Sequence, residues 1–455
     1  MSASKTIVET MATDLLALRA DGLPADVIAK AKLCLCDYFS AAYEARDLPW
    51  SREAVLRSEP VRNGAASIPL AGLANPGDAA FANAVAAHGL VREDMHVGAI
   101  AHLGIVVWPA LLADLAQAGR TVAGRELLAA GIVGYEAGAC LGSALMTAEL
   151  ARLFRPTGLV GPFAAVAALC HLRGFDTEQT ASALSLAVNC AAGLNQWPVP
   201  GGSDMYFHAG FAARNALVCA DLARAGAFAT RDIIEGNAGL FRAFARRDPA
   251  VPKPLFADGQ YEIVNVFHKQ APACNFAQTP SQAALAARLQ MDDGSSRVVA
   301  IRIDATEAAL LYPGCDATGP FGTMLAAKMS IQFGVAAAVA RGKLDASNYT
   351  DLDDPEISRL IAATTLVAAP DLTAAYPRRQ PARVTLTLDD GRQIERALDD
   401  VLVATPAMVQ ERFRAFAAQA LGEAQAGALA IFIDTLADAD DAIPLNALQV
   451  PRVHH

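Results

Sequence analysis

The sequence has few charges and few aromatic rings: Asp, Glu, Lys and Arg make up 18 % of its 455 residues, and Phe, Trp and Tyr 6 %. Scarce aromatics argue against a sheet-dominated interior. The 53 % apolar content points instead to helices packed through small side chains, and it excludes disorder as a bulk description. Excess basic charge is also missing. With a formal net charge of −10 no nucleic-acid partner is expected, and any anionic small molecule has to be held by local cations. The opening residues, MSASKTIVET, lack the apolar run of a signal peptide. The longest uncharged runs, 156–172 and 180–203, are broken by Pro156, Pro162, Asn189, Asn195, Gln196 and Pro198, so no membrane span is expected.

The eight cysteines, at 34, 36, 140, 170, 190, 219, 274 and 315, form no Cys-x-x-Cys pair. That removes zinc-ribbon and thioredoxin-like readings and fits buried thiols in a reduced, cytoplasmic setting. A Walker loop, a GxGxxG turn, HExxH and GxSxG are absent too, and with them the main support for nucleotide-binding, zincin and α/β-hydrolase chemistry.

A chain of this length is expected to split into two domains. From residue 4 to about 245, one amphipathic or buried helix follows another. In DTEQTASALSLAVNC (176–190), Asp176 is placed to cap, Gln179 to reciprocate, and an apolar face follows. HAGFAARNALVCADLARAG (208–226) is a second helix, stopped at Gly226. Near residue 265 the texture changes. SRVVAIRIDA (296–305) alternates as a strand, ARVTLTLDDGRQIERAL (382–398) reads as a hairpin turning at Asp-Gly, and TPSQAALAARLQ (279–290) reads as a helix capped by Thr279 with Pro280 at its first position. After TPAMVQERFRAF (405–416) the pattern is helical again to about 437. The expected fold is mainly α: a large all-helical domain, residues 1–266 plus 405–455, with an inserted smaller α+β lid domain, residues 267–404.

Four polar clusters stand out. AAHGLVREDMHVGAIAHLG (86–104) holds His88, Arg92, Glu93, Asp94, His96 and His102. GIVVWPALLADLA follows as a helix, which puts His102 just before a helix N-terminus, where free N–H groups favour an anion and an imidazole can pass a proton. The alternative for His102 is satisfaction by loop carbonyls. Arg92 and His96 stand four apart, and a solvated helix face accounts for them equally well. Arg155, before Pro156 and an apolar helix, is either a carboxylate clamp or a surface arginine. In PGGSDMYFHAGFAARNA (200–216), Asp204 reads as a ligand contact or, slightly better, as a helix cap, and His208 sits in the first turn. FHKQAPACNFAQTP (267–280) joins the two expected domains and carries His268, Lys269, Cys274 and Gln278. Lys269 there marks a cleft or is a solvated linker charge. Cys274 reads as buried packing, because nothing near it in sequence lowers its pKa. Tyr312, in ALLYPGCDATGPFG, is a core ring or a proton donor.

In this order and spacing, VAAHGL, HLG, GRELLAAGIVGYEAG, FRPTGLVGPFAAVAAL, FHAGFAARNALVCADLARAGA, HKQAPAC and LLYPG resemble the MmgE/PrpD family over nearly the whole chain. That family includes 2-methylcitrate dehydratase, cis-aconitate decarboxylase and iminodisuccinate epimerase. The resemblance implies a homodimer and chemistry on di- or tricarboxylates between the domains, with no metal and no cofactor. His102 resembles the family's histidine after the acidic loop, Lys269 its lysine five residues before a cysteine or histidine, here Cys274, and Tyr312 its lid tyrosine. His208 is similar to the histidine of its HxG helix start. Three positions depart: Val91 stands where the family usually has Asp, Arg155 where it has His, and Met205 where it has Lys. Arg155 restores one cation, while Val91 and Met205 make the pocket more apolar and point to a different substrate or reaction.

The resulting expectation is a lyase working by proton transfer next to a carboxylate. His102 serves as acid/base, Arg155 and Lys269 hold carboxylates, and Tyr312 or His208 handles a second proton. Arg92, His96, Asp204, Cys274 and Met205 are further candidates for the substrate pocket. Two alternatives are an epimerase or isomerase of an aminodicarboxylate or related acid, and a catalytically inactive carboxylate-binding homologue, which the three departures support.

Overall fold

The computed structural model describes residues 5–56, 58–291 and 296–451, and it is mainly α. Residues 1–4 of the opening stretch and 452–455 of the expected large domain lie outside the described residues. Helices Gly124–Leu145 and Pro156–Arg173 pack side by side at the centre of the helical part. Their approach depends on missing side chains, since a Cβ on Gly138 would stand 2.7 Å from the Cβ of Ala164. Gly124–Leu145 is long and apolar enough to cross a membrane by length and composition, and 89 % of its most apolar window is buried within the protein. Helices Ala25–Ala45, Pro76–His88, Gly104–Leu115, Thr177–Val188 and Asp204–Arg224 surround this pair and share its core.

The local signals explain most boundaries. Asp176 and Gln179 form a complete capping box on Thr177–Val188. Gly226, with φ +92°, stands just beyond the end of Asp204–Arg224. Thr279 does not cap as expected. Helix Asn275–Arg288 starts five residues earlier, behind Cys274, and Pro280 lies inside it. The Thr279 hydroxyl donates instead to the carbonyl of Gln380, a partner no local pattern reveals.

The helical part is not free of strands, which corrects the all-helical expectation. β1 (Ala65–Ser67) pairs with β2 (Gly72–Ala74), and β3 (Met95–His96) pairs antiparallel with β4 (Val266–Phe267). These strands are too short to show a period of two in sequence. The β3–β4 pair fixes the acidic loop beside the segment carrying Lys269.

A second core forms around a four-stranded sheet ordered β6-β5-β7-β8, with β5 Val298–Ala305, β6 Thr364–Ala368, β7 Ala382–Leu388 and β8 Gln393–Leu398. β5 and β6 are parallel and the other pairings antiparallel. Ala382, Val384, Leu386 and Leu388 alternate inward along β7, and helix Asn275–Arg288 covers them, backed by Ile331–Arg341. Trp50, Val91, Trp197, Met205 and Tyr206 of the helical part join this second core. Helix Pro406–Leu421 then packs back on Ala25–Ala45. Where the chain returns, the Ala404 N–H donates to the His268 carbonyl at 2.8 Å, so the two connections run side by side.

Candidate active site

A crevice of about 580 Å³, counted to its open mouth, lies where the two cores meet. His102, Arg155, Lys269, Cys274 and Tyr312 line it, from segments far apart in sequence. Val91, Met95, Val97, Ile100, Trp197 and Met329 give it an apolar wall.

His102 precedes helix Gly104–Leu115, whose first N–H, that of Gly104, donates to Oδ1 of Asp94 at 3.2 Å. The His102 Nδ1 stands 2.8 Å from the carbonyl of Asp94. A carbonyl only accepts, so Nδ1 carries the proton and Nε2 keeps its lone pair. Burial, reinforced by Lys269, holds the imidazole well below the ordinary histidine range, leaving a neutral base at neutral pH. Asp94 also accepts from the hydroxyl of Tyr135, and burial pushes its pKa up to about 6.

Arg155 closes the start of helix Pro156–Arg173, its guanidinium 5.6 Å from the centre of the Trp197 ring. Its Nη2 donates to Nε2 of His88 at 3.1 Å, so the His88 proton sits on Nδ1, 2.6 Å from Oε1 of Glu93. His88 is therefore neutral, as its burial also demands. Glu93 lies 3.2 Å from Nδ1 of His102 as well. Burial works to raise the Glu93 pKa, but His88, through its hydrogen bond, and the Lys269 charge outweigh it and keep the carboxylate ionised.

Lys269 is fully buried and donates to the carbonyls of Val91 at 3.0 Å and Ala273 at 3.4 Å. An ammonium has three donors, so one remains for a ligand. Burial lowers the Lys269 pKa and Glu93 opposes that shift. The Tyr312 hydroxyl accepts from Asn195 Nδ2 at 3.3 Å, and burial keeps it protonated. Cys274 is buried in the second core, and it also borders the crevice. Its Sγ lies 3.6 Å from that of Cys315, and the Cys315 hydrogen bond, with Lys269 and the Phe276 N–H, works to lower its pKa against the effect of burial.

The remaining candidates lie away from the crevice lining. Arg92 is buried in an ion-pair network with Glu44 and Asp37, and it donates to Ser40. His96 accepts the Ala99 N–H on Nδ1 and donates from Nε2 to Glu262 at 2.7 Å. Neither lies on a solvated helix face, because β3 pairing turns this segment inward. Asp204 is exposed at the first residue of its helix and makes no capping bond. Met205 is wholly buried in the second core. His208 packs behind Arg155 near Gly193, and burial, then Arg155, lowers its pKa to about 4. Val91, one of the three departures, faces the crevice and adopts φ +58°, rare for a β-branched residue, with its carbonyl held by Lys269. Sequence reasoning gave no role to the His88–Glu93 pair and missed Asn195 and Trp197. The polar pair in NQWPVPGG, set in an apolar run, was the available signal. Among the described residues, no three His, Cys, Asp or Glu side chains gather as a metal-holding group.

The MmgE/PrpD N-terminal domain matches residues 9–252 and the MmgE/PrpD C-terminal domain residues 271–438. The chain belongs to the MmgE/PrpD family. Within it, the chain is similar to a cis-aconitate decarboxylase of Aspergillus terreus, 26 % identical over 419 residues that cover 87 % of this chain and 85 % of the relative. A second, from Aspergillus terreus strain NIH 2624, is 24 % identical and covers 95 % and 93 %. A cis-aconitate decarboxylase-like protein of Aspergillus oryzae is 32 % identical over 49 % of this chain and 48 % of its own. The C-terminal MmgE/PrpD match includes helix Pro406–Leu421, which packs on the helical core.

Proposed function

We propose that the chain is a lyase of small di- or tricarboxylates, with decarboxylation as its reaction. The observation that carries this reading is the meeting of a neutral imidazole, two cations and a protonated phenol in one crevice: His102, Arg155, Lys269 and Tyr312. The names of the family relatives favour loss of CO2 over loss of water. Arg155 and Lys269 hold carboxylates and draw electron density toward them as charge develops. A departing carboxylate pressed against the wall of Met95, Val97, Ile100 and Met329 loses hydration, which favours its release as neutral CO2. Loss of CO2 leaves the electron pair of the broken bond on the carbon skeleton, and Tyr312 protonates that carbon, regaining its own proton from water. His102 Nε2 takes a proton from the carbon beside a retained carboxylate and gives it back to the skeleton. No metal or cofactor enters this scheme.

The sheet-centred region, residues 267–404, serves in this reading as a lid over the crevice, because it carries Lys269, Cys274 and Tyr312 and is joined by two adjacent connections. The chain is further proposed to act as a cytoplasmic homodimer. Phe211, Val218 and Leu222, about half exposed along one helix, support pairing, and light scattering tests it.

The deciding experiment incubates the protein with citrate-like, aconitate-like and aminodicarboxylate compounds in D2O under NMR. CO2 release with deuterium entering the product is expected. Water loss makes the chain a dehydratase, exchange without net loss makes it an epimerase, and binding without conversion ends the catalytic reading.

A further inference from the structure

Cys274 and Cys315 are 41 residues apart in sequence, yet their sulfurs stand 3.6 Å from one another. They belong to two segments that wall the crevice, one through Cys274 itself and the other through Tyr312. Cys274 opens helix Asn275–Arg288, and its N–H donates to the carbonyl of Lys328. Cys315 closes the turn at Tyr312, donating its N–H to the Tyr312 carbonyl at 3.1 Å, and its own carbonyl accepts from Ile331. Only one of the two sulfurs is reachable: Cys274 lines the crevice, whereas Cys315 is wholly buried behind it. The proposed reaction uses neither thiol.

We propose that Cys274 is an oxidation site with Cys315 as its resolving thiol, so that hydrogen peroxide joins the two crevice walls by a disulfide. The Cys274 thiolate attacks one peroxide oxygen, the O–O bond breaks, and the leaving hydroxide is protonated to water, giving a sulfenic acid. Cys315 sulfur then attacks the Cys274 sulfur. The S–S bond forms, the S–O bond breaks, and the Cys315 proton leaves with the hydroxide as a second water. The two sulfurs together lose two electrons and the peroxide gains them. The division of labour follows from the surroundings. Lys269, which donates to the carbonyl next to Cys274, and the free N–H groups of a helix start favour thiolate at Cys274. Burial holds Cys315 as a thiol, able to supply the proton. Bond formation draws the sulfurs together by about 1.5 Å from their 3.6 Å separation.

The test uses the full chain, reduced, desalted and treated with hydrogen peroxide at neutral pH. It is then denatured in N-ethylmaleimide and mapped by mass spectrometry. The expected product is a linked pair of peptides holding Cys274 and Cys315, lighter by two hydrogens and separated again by dithiothreitol. Cys315→Ser stops the reaction at a Cys274 sulfenic acid that dimedone captures, and Cys315→Ala is a second variant should that one fail to fold. Cys190 and Cys219, 3.7 Å apart and away from the crevice lining, form an internal comparison. Recovery of Cys274 and Cys315 as maleimide adducts after peroxide has oxidised Cys190 or Cys219 overturns the proposal. The readout is covalent and does not depend on any substrate, so its failure leaves the lyase reading intact.

Discussion

Arg155 donates from Nη2 to Nε2 of His88 at 3.1 Å, two buried side chains 67 residues apart. The contact fixes the His88 tautomer, directs its proton to Glu93, and holds the guanidinium at the crevice while its Nε has no partner among the described residues. Arg155→Ala is expected to raise KM for the best carboxylate substrate by about 10- to 100-fold, the worth of a charge-assisted hydrogen bond. Unchanged KM in a variant with native circular dichroism would place the carboxylate elsewhere.

His102→Gln keeps a polar side chain but removes the basic Nε2. Turnover should fall by roughly 10²- to 10⁴-fold while KM moves by no more than a few-fold. Steady-state kinetics on the substrate identified by NMR check this, and a proportionate rise in KM with intact kcat contradicts the base assignment.

The pH profile of kcat/KM follows from the shifts at His102 and Lys269. Because burial and Lys269 lower the His102 pKa, the base stays neutral as pH falls through 6.5, and the acid limb begins only below that value. Burial lowers the Lys269 pKa, so the alkaline limb sets in below 10.5 as the ammonium is lost. Val91→Asp restores a carboxylate beside Lys269 and should move that limb upward by about 1–3 pH units. A limb that stays in place shows that Lys269 does not control it.

Stability should fall in mild acid, in part through His208. Its folded pKa, lowered to about 4 by burial and Arg155, lies below the ordinary value of 6.5. Between these values the unfolded chain binds more protons, so the contribution is complete above pH 6.5 and is lost as pH falls toward 4. His208→Gln is expected to flatten the drop in urea midpoint between pH 7 and pH 5. An unaltered drop assigns the acid sensitivity to other buried groups, His88 and His102 first.

Much of the architecture was legible where the signal is local. The capping box at Asp176 and Gln179, the glycine after Asp204–Arg224, and the alternation along β7 each act within a few residues, and each appears in the structure, whereas β5 forms as a strand whose alternation is broken by an irregularity between Val298 and Ala300. Thr279 was misread because a threonine followed by proline looks like a cap wherever it occurs, and only the Gln380 carbonyl shows its actual partner. The strand pair β3–β4 joins residues about 170 apart, and a two-residue strand has no period to detect. At the site, residue types were legible but their states were not. The helix that follows His102 marked it out, but nothing in the sequence shows that His96 is spent on Glu262 or that Cys274 has Cys315 against it.

By itself, then, the sequence determined the helical character, the change to strands after residue 265, and which ionisable groups stand in apolar surroundings, because propensity, capping and hydrophobic period act over one or two turns. Tertiary structure alone decided which of those groups meet, which proton each imidazole carries, and whether a lysine is a solvated charge or a buried one. Those properties depend on dielectric surroundings and on hydrogen-bond partners from remote segments, and packing alone brings such segments together.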